Sequence, residues 1–165
     1  MTRVYIGLGS NIERDANVRG GISELKKHFG DLVISSVYES PAYGFEGDNF
    51  YNLVAGFDTE LSVEDLTVAL RDIEYAFGRK SNAIRFSSRT LDLDLLLYDD
   101  LIRHDEKFDL PRADIMRYTF TLCPLAEIAG EKRHPETGRS FADLWQSFDK
   151  SNQDLWPVEF QVSTR

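Results

Sequence analysis

The sequence predicts an α+β fold of the ferredoxin-like kind: a β-α-β-β-α-β core with an antiparallel sheet and C-terminal additions. Three observations carry that prediction. Short β-type apolar runs and two segments of helical period follow one another in that order over the first hundred residues. Glycines stand where both helical segments run out, at Gly30 and Gly78. The chain is 165 residues long, the size of one domain that buries roughly 70% of its unfolded surface and needs no staples.

Arg3 to Leu8 reads as the first strand, stopped by the turn-forming Gly9-Ser10-Asn11. Val18, Ile22, Leu25 and Phe29 then recur at helical spacing. Leu32 to Tyr38 is the second strand and Phe50 to Phe57 the third, joined by a Gly- and Pro-containing loop from Glu39 to Asn49 that is longer than a hairpin needs. Ser62 is placed to N-cap a second helix whose apolar face is Val63, Leu66, Leu70, Ile73 and Phe77. A basic loop follows, then the strand from Thr90 to Tyr98. In this order the helices of the unit cover one face of the sheet.

Beyond Asp99 a polar connection through His104, Asp105 and Glu106 leads to Leu110-Pro111-Arg112. A short helix is expected after Pro124, and another from Ser140 to Phe148, after the turn at Pro135-Glu136-Thr137-Gly138. Residues 151–165 are either an added edge strand around Val158 to Val162 or a loose tail. Nothing marks a second domain, so residues 1–150 are read as one.

The formal net charge is -9 and the pI near 4.8. That balance argues against nonspecific nucleic-acid binding, yet permits anionic substrates where cations cluster. The single cysteine, Cys123, sits among Leu122, Pro124 and Leu125 and reads as a buried thiol rather than a nucleophile. The N-terminal apolar run is too short for a signal peptide and no segment is long enough to span a bilayer, so a reducing cytoplasm is the expected compartment.

The segment Arg89-Thr90-Leu91-Asp92-Leu93-Asp94-Leu95-Leu96-Leu97-Tyr98 holds the most chemistry. Strand alternation points Asp92 and Asp94 to the same side. One reading is a strand with a wet face. The other is a carboxylate pair that needs a cation, for which a hard divalent ion such as Mg2+ is the usual answer. Arg79, Lys80, Arg85 and Arg89 precede the pair with no acidic residue among them. A metal-bound polyphosphate calls for that combination, the metal bridging phosphate oxygens and guanidinium groups taking the remaining charge.

The run Arg85-Phe86-Ser87-Ser88-Arg89-Thr90-Leu91-Asp92-Leu93-Asp94-Leu95-Leu96 resembles the signature of the 6-hydroxymethyl-7,8-dihydropterin pyrophosphokinase (HPPK) family. Four further segments resemble that family in the same order: Tyr5 to Asn11, Tyr38-Glu39-Ser40-Pro41, Phe50-Tyr51-Asn52 and Pro124 to Ala129. The resemblance implies transfer of diphosphate from ATP to 6-hydroxymethyl-7,8-dihydropterin, releasing AMP, in folate biosynthesis. It implies that Asp92 and Asp94 hold two Mg2+ ions, and that Arg79 and Arg89 are catalytic contacts to the phosphates. Ser40, Ala42, Tyr43, Phe50, Asn52 and Phe120 match the pterin site, with Phe50 and Phe120 sandwiching the ring and Asn52 reading its edge. Ordinary core packing is the other reading of each Phe. Arg71, Glu74, Arg85, Phe86, Lys107, Arg112, Arg117 and Tyr118 stand at positions on the ATP side, where a solvated helical face is the competing reading of Arg71 and Glu74.

The chain departs from the family pattern mainly on that ATP side. Arg112 follows Pro111 where the family usually has His, and Tyr118 replaces an arginine, with Arg117 beside it. Lys107, Phe86, Ser87 and Ser81 replace Arg, Trp, Gly or Ala, and Arg respectively. Loss of bidentate guanidinium contacts weakens phosphate binding, and Arg112 or Arg117 could restore the charge. The alternative is a non-catalytic or altered-specificity pterin-binding paralogue. A ferredoxin-like RNA-binding module, suggested by Phe50, Tyr51 and Phe57, lacks the basic Gly-containing strand motif and carries the wrong net charge. The expected partners are ATP and a reduced pterin, with no nucleic acid and no membrane; the sequence leaves the oligomeric state open, a monomer being favoured.

Overall fold

The computed structural model describes residues 1–78 and 90–160. Its sheet is built from β1 (Thr2–Ser10), β2 (Val33–Ile34), β3 (Val37–Ser40), β4 (Phe50–Thr59) and β5 (Asp92–Tyr98), with α1 (Arg14–Phe29) and α2 (Val63–Ala76) between them. β1 is central, flanked by β5 and β4, and both β2 and β3 lie antiparallel along the far side of β4. The expected α+β order is present, and its second strand comes in two pieces. Ser35 interrupts it: the Ser35 hydroxyl accepts the Val54 amide hydrogen at 2.9 Å, a side chain substituting for a ladder carbonyl.

Local signals account for the helix ends. Gly30 takes φ 84° and its amide donates to the Lys26 carbonyl, closing α1 in a conformation that costs a glycine little. Ser62 caps α2, its hydroxyl accepting from the Asp65 amide at 3.1 Å, and Gly78 leaves that helix at φ 95°. Alternation on the strands and helical spacing then build one core. Val4, Ile6 and Leu8 of β1, Leu53, Ala55 and Phe57 of β4, and Leu93 of β5 meet Val18, Ile22 and Leu25 of α1 and Leu66, Leu70 and Ile73 of α2. Each of these side chains except Ala55 contributes about 1.5–3 kcal/mol by leaving water.

The opposite face carries a second core. Tyr5, Val54 and Leu96 pack against Leu122 and Leu125 of α3 (Thr119–Ala129) and Phe141 and Leu144 of α4 (Phe141–Ser147). The C-terminal additions thus cover the face that the β-α-β-β-α-β unit leaves bare. α3 starts five residues before Pro124 rather than after it. Proline is favoured at the first position of a helix, where its missing N–H costs nothing, but Pro124 lies inside α3, whose preceding turn is anchored by buried Thr119, Thr121 and Leu122.

The polar connection after Asp99 forms a small hairpin, β6 (Arg103–His104) with β7 (Asp109–Leu110), which leads into a single 3-10 turn at Ala113–Met116. Near the C-terminus, β8 (Trp156–Val158) pairs with β3 as an added edge strand, but it lies ahead of the expected Val158 to Val162 and shares only Val158 with it; residues 159 and 160 carry no strand, and residues 161–165 lie outside the described residues. Cys123 is half-buried rather than buried, and its surroundings push the thiol up, burial first. Among the described residues, no helix is long and apolar enough to cross a membrane.

Candidate functional site

Strand register creates the site. Asn52 of β4, Gly9 of β1 and Asp92 of β5 stand side by side across the sheet, and Val54, Gly7 and Asp94 form a parallel row. All six point away from the first core. Because Gly7 and Gly9 have no side chains, the central strand is a bare floor between an amide on one side and two carboxylates on the other. A Cβ on Gly9 would lie 2.8 Å from Asn52 Oδ1, so the floor is bare because the Asn52 amide needs the space.

Over this floor lies a cavity of about 280 Å3. One half is aromatic. Tyr118 and Phe120, at the start of α3, stack with centroids 5.0 Å apart and planes 7° apart, and Tyr43 meets Tyr118 edge-on at 5.1 Å. Phe45 stands edge-on to Phe50. Asn52 Nδ2 donates to Ser40 Oγ at 3.1 Å, which orients the amide in the slot. Side chains fasten the loop carrying Tyr43 and Phe45. Asn11 Nδ2 donates to the Asp48 carbonyl at 3.0 Å, and Arg14 donates to Glu39 and to the Asn49 carbonyl. Glu127 of α3 accepts from Ser36 and from the Tyr38 hydroxyl, binding the helix wall to β3.

The other half is charged. Asp92, Asp94, Arg71, Arg112 and Asp114 line it. Behind it lies Glu74, fully buried, which accepts the Leu93 amide hydrogen at 2.6 Å and pairs with Arg71. Leu93 separates the two aspartates, so the α2 carboxylate fixes the stretch of backbone that aims them. Burial, then the neighbouring Asp92 charge, push the Asp94 carboxyl up to about 7, against the opposing pull of Arg112. Arg112 Nη2 lies 3.7 Å from Asp94 and its Nε 3.2 Å from Asp114. Burial lowers the Arg112 guanidinium, but Asp94 and Asp114 outweigh it and the net shift is upward. Arg71 behaves alike: burial lowers it, and Glu74, Asp94 and Asp92 raise it further. A second cavity of about 60 Å3 adjoins this end, sharing Arg71, Asp94 and Arg112 and adding Thr67, Leu70 and Lys107.

Ten residues singled out from sequence therefore converge on one cavity: Ser40, Tyr43, Phe50, Asn52 and Phe120 toward the aromatic half, Arg71, Asp92, Asp94 and Arg112 in the charged half, and Tyr118 among the aromatics rather than the charges. Lys107 borders the smaller cavity. Ala42 and Arg117 line neither; Arg117 is exposed, and its carbonyl accepts from Gln153. Arg79, Arg85, Phe86 and Arg89 lie outside the described residues. Sequence reasoning passed over Gly7, Gly9, Phe45, Asp114 and Thr121. The two glycines were legible, since they alternate with Ile6 and Leu8 on β1 as Asp92 and Asp94 alternate with Leu93 on β5.

Fold and cavity together define a candidate small-molecule site with a charged end and an aromatic-walled end. The family model for 7,8-dihydro-6-hydroxymethylpterin-pyrophosphokinase matches residues 5–130, and the chain belongs to that family. It is 34% identical to the 2-amino-4-hydroxy-6-hydroxymethyldihydropteridine pyrophosphokinase of Aquifex aeolicus, over 82% of this chain and 85% of the relative. With the protein of the same name from Methylorubrum extorquens it shares 38% identity over 78% of this chain and 84% of the relative. Among solved structures, 88% of the chain superposes on wild-type HPPK-DHPS of Plasmodium falciparum with a TM-score of 0.68 and 13% identity, a likeness of fold. The chain spans 44% of that longer protein.

Proposed function

We propose that this protein transfers the diphosphate of ATP to 6-hydroxymethyl-7,8-dihydropterin, releasing AMP, in folate biosynthesis, and that the transfer depends on Mg2+. The observation that carries the reading is the single cavity with two unlike ends: a slot of aromatic faces with the Asn52 amide at its floor, opening onto Asp92 and Asp94. A flat, amide-edged ring suits the first end and a charged polyphosphate the second.

The carboxylate end fits magnesium. Mg2+ is held by one or two carboxylates plus substrate phosphates rather than by an all-protein cage. Among the described residues no set of three or more His, Cys, Asp or Glu side chains is grouped to hold a metal by itself, which suits an ion that arrives with a nucleotide. Asp92 and Asp94 would hold it; when bound, it neutralises phosphate charge and steadies the departing AMP. The protein's own contribution is positional. Phe50 and Phe120 hold the ring, Asn52 and Ser40 fix its edge, and the hydroxymethyl oxygen is presented to the β-phosphorus. That oxygen forms the new P–O bond as the bond between the β-phosphorus and the α,β-bridging oxygen breaks, the electron pair leaving with AMP and the hydroxyl proton passing to solvent. Arg71 and Arg112, with Arg79 and Arg89 by family resemblance, supply cations to the phosphates. In this reading the enzyme works in the cytoplasm on soluble substrates.

The test is product analysis with Mg2+, ATP and the reduced pterin. AMP and the pterin diphosphate are expected in equal amounts. Pterin binding without AMP formation would instead indicate a binding paralogue, and ADP a different transfer. Asp94→Asn is expected to lower turnover by on the order of a hundredfold or more while pterin affinity stays within about threefold. Full activity in that variant would overturn the metal assignment.

A further inference from the structure

We infer that Arg112 is a tethered counter-ion of Asp94, which resists metal entry until a nucleotide phosphate draws the guanidinium away. The inference rests on the reading of Asp92 and Asp94 as metal ligands and adds to it a residue that couples metal to nucleotide.

Four observations place Arg112 in that role. Its amide donates to the Leu96 carbonyl at 3.0 Å, so the main chain is fastened to the strand that carries the aspartates and any exchange of partner falls to the side chain. Its Nη2 lies 3.7 Å from Asp94 Oδ1, the position a cation bound to that carboxylate would contest. Its Nε is buried and completes no hydrogen bond, although Asp114 lies 3.2 Å away. A buried donor without a properly aligned acceptor is a standing cost that a better acceptor relieves. Finally, Arg112 and Arg71 both line the large cavity and the small one beside it, but Arg71 is paired with the buried Glu74 whereas Arg112 is set against Asp94 and Asp114.

The charges then argue for exchange. A guanidinium this near Asp94 opposes a divalent ion at the same carboxylate. A phosphate offers the planar fork two parallel hydrogen bonds, which the off-axis carboxylates Asp94 and Asp114 do not. Once the fork turns to phosphate, Asp94 is released to the metal that the phosphate brings. Among the described residues, the charged end holds Glu74, Asp92, Asp94 and Asp114 against Arg71 and Arg112. Two divalent ions without a polyphosphate would leave that set with excess positive charge, so metal and nucleotide bind best together.

The probe is Mn2+ added to the full chain, with free metal read by electron paramagnetic resonance, without nucleotide and then with a non-hydrolysable ATP analogue. Arg112→Gln is expected to bind Mn2+ alone about tenfold tighter than the unaltered protein, and the analogue is expected to tighten Mn2+ binding by a correspondingly smaller factor. Arg112→Lys keeps the charge and loses the fork. Its Mn2+ affinity without nucleotide should stay near that of the unaltered protein, while its affinity for the analogue falls. Unchanged or weaker Mn2+ binding in a folded Arg112→Gln protein overturns the counter-ion role. Asp94→Asn separates the two claims: undiminished Mn2+ binding in that variant would remove the metal reading itself, whatever Arg112 does.

Discussion

At Gly9 a hydrogen atom stands where any other residue would put a carbon 2.8 Å from Asn52 Oδ1. Gly9→Ala therefore has to push the Asn52 amide aside and break its bond to Ser40, whereas the same change at Gly7 meets Leu96 at an ordinary 3.6 Å. Losing one or two hydrogen bonds of roughly 1–1.5 kcal/mol should raise the pterin KM of Gly9→Ala about tenfold, with Gly7→Ala within about threefold. Equal effects in steady-state kinetics of the two variants would show that Asn52 does not read the pterin. The pair also shows what a sequence discloses about a site. Asp92 and Asp94 were legible because charge on an apolar strand is conspicuous and strand period fixes its direction. Gly7 and Gly9 obey the same period but advertise no chemistry. Arg112 was legible as a spare cation only; its place beside Asp94 rather than in solvent depends on how the chain returns after Asp99, which no periodicity encodes.

Elements with their own stop signals could be read to within a residue or two. Ser62 and Gly78 bracket α2, Ser140 caps α4 through the Asp143 amide, and Gly30 closes α1. Elements decided by long-range contact could not. The two-residue strands β6 and β7 have no pattern to detect, and the split between β2 and β3 turns on one serine hydroxyl meeting Val54. That small hairpin carries a pH-dependent fastening. His104 Nδ1 lies 2.7 Å from Asp109 and its Nε2 3.1 Å from Glu136, linking the hairpin to the turn that follows α3. Hydrogen bonds to Asp109 and then to Glu136 raise the imidazole above its ordinary 6.5. A raised folded-state value means that the folded protein holds the proton more tightly than the unfolded chain. The stabilisation is therefore complete below about pH 6.5 and is lost as pH rises through the raised value. The difference in melting temperature between the unaltered protein and His104→Gln should accordingly be largest below about pH 6.5 and shrink steadily at higher pH. A constant difference would mean that the link does not depend on charge.

Across the whole molecule the sheet has one face sealed by α1 and α2 and another shared between the second core and the cavity. The C-terminal segment reaches both walls of that cavity. Tyr118, at the start of α3, gives the helix no side-chain cap, and Gln153 supplies what is missing. The Thr119 amide donates to Gln153 Oε1 at 2.9 Å, Thr119 Oγ1 to the Gln153 carbonyl at 3.2 Å, and Gln153 Nε2 to the Arg117 carbonyl at 2.8 Å. Three residues further on, β8 pairs with β3, whose last residue, Ser40, holds the Asn52 amide. A chain stopped after Lys150 loses both supports while keeping every residue assigned to catalysis. It should lose about 1–3 kcal/mol of stability from the unmet helix start alone, or several degrees in melting temperature at this size. Its pterin KM should rise more than its ATP KM, because Phe120 and Ser40 stand on the loosened elements and Asp92 and Asp94 do not. Gln153→Ala in the full chain removes the helix fastening and leaves the strand pairing. It should reproduce part of the KM effect with a smaller loss of melting temperature. If the shortened protein melts lower but binds pterin as well as before, the C-terminal segment is a stabilising strap with no hold on the site.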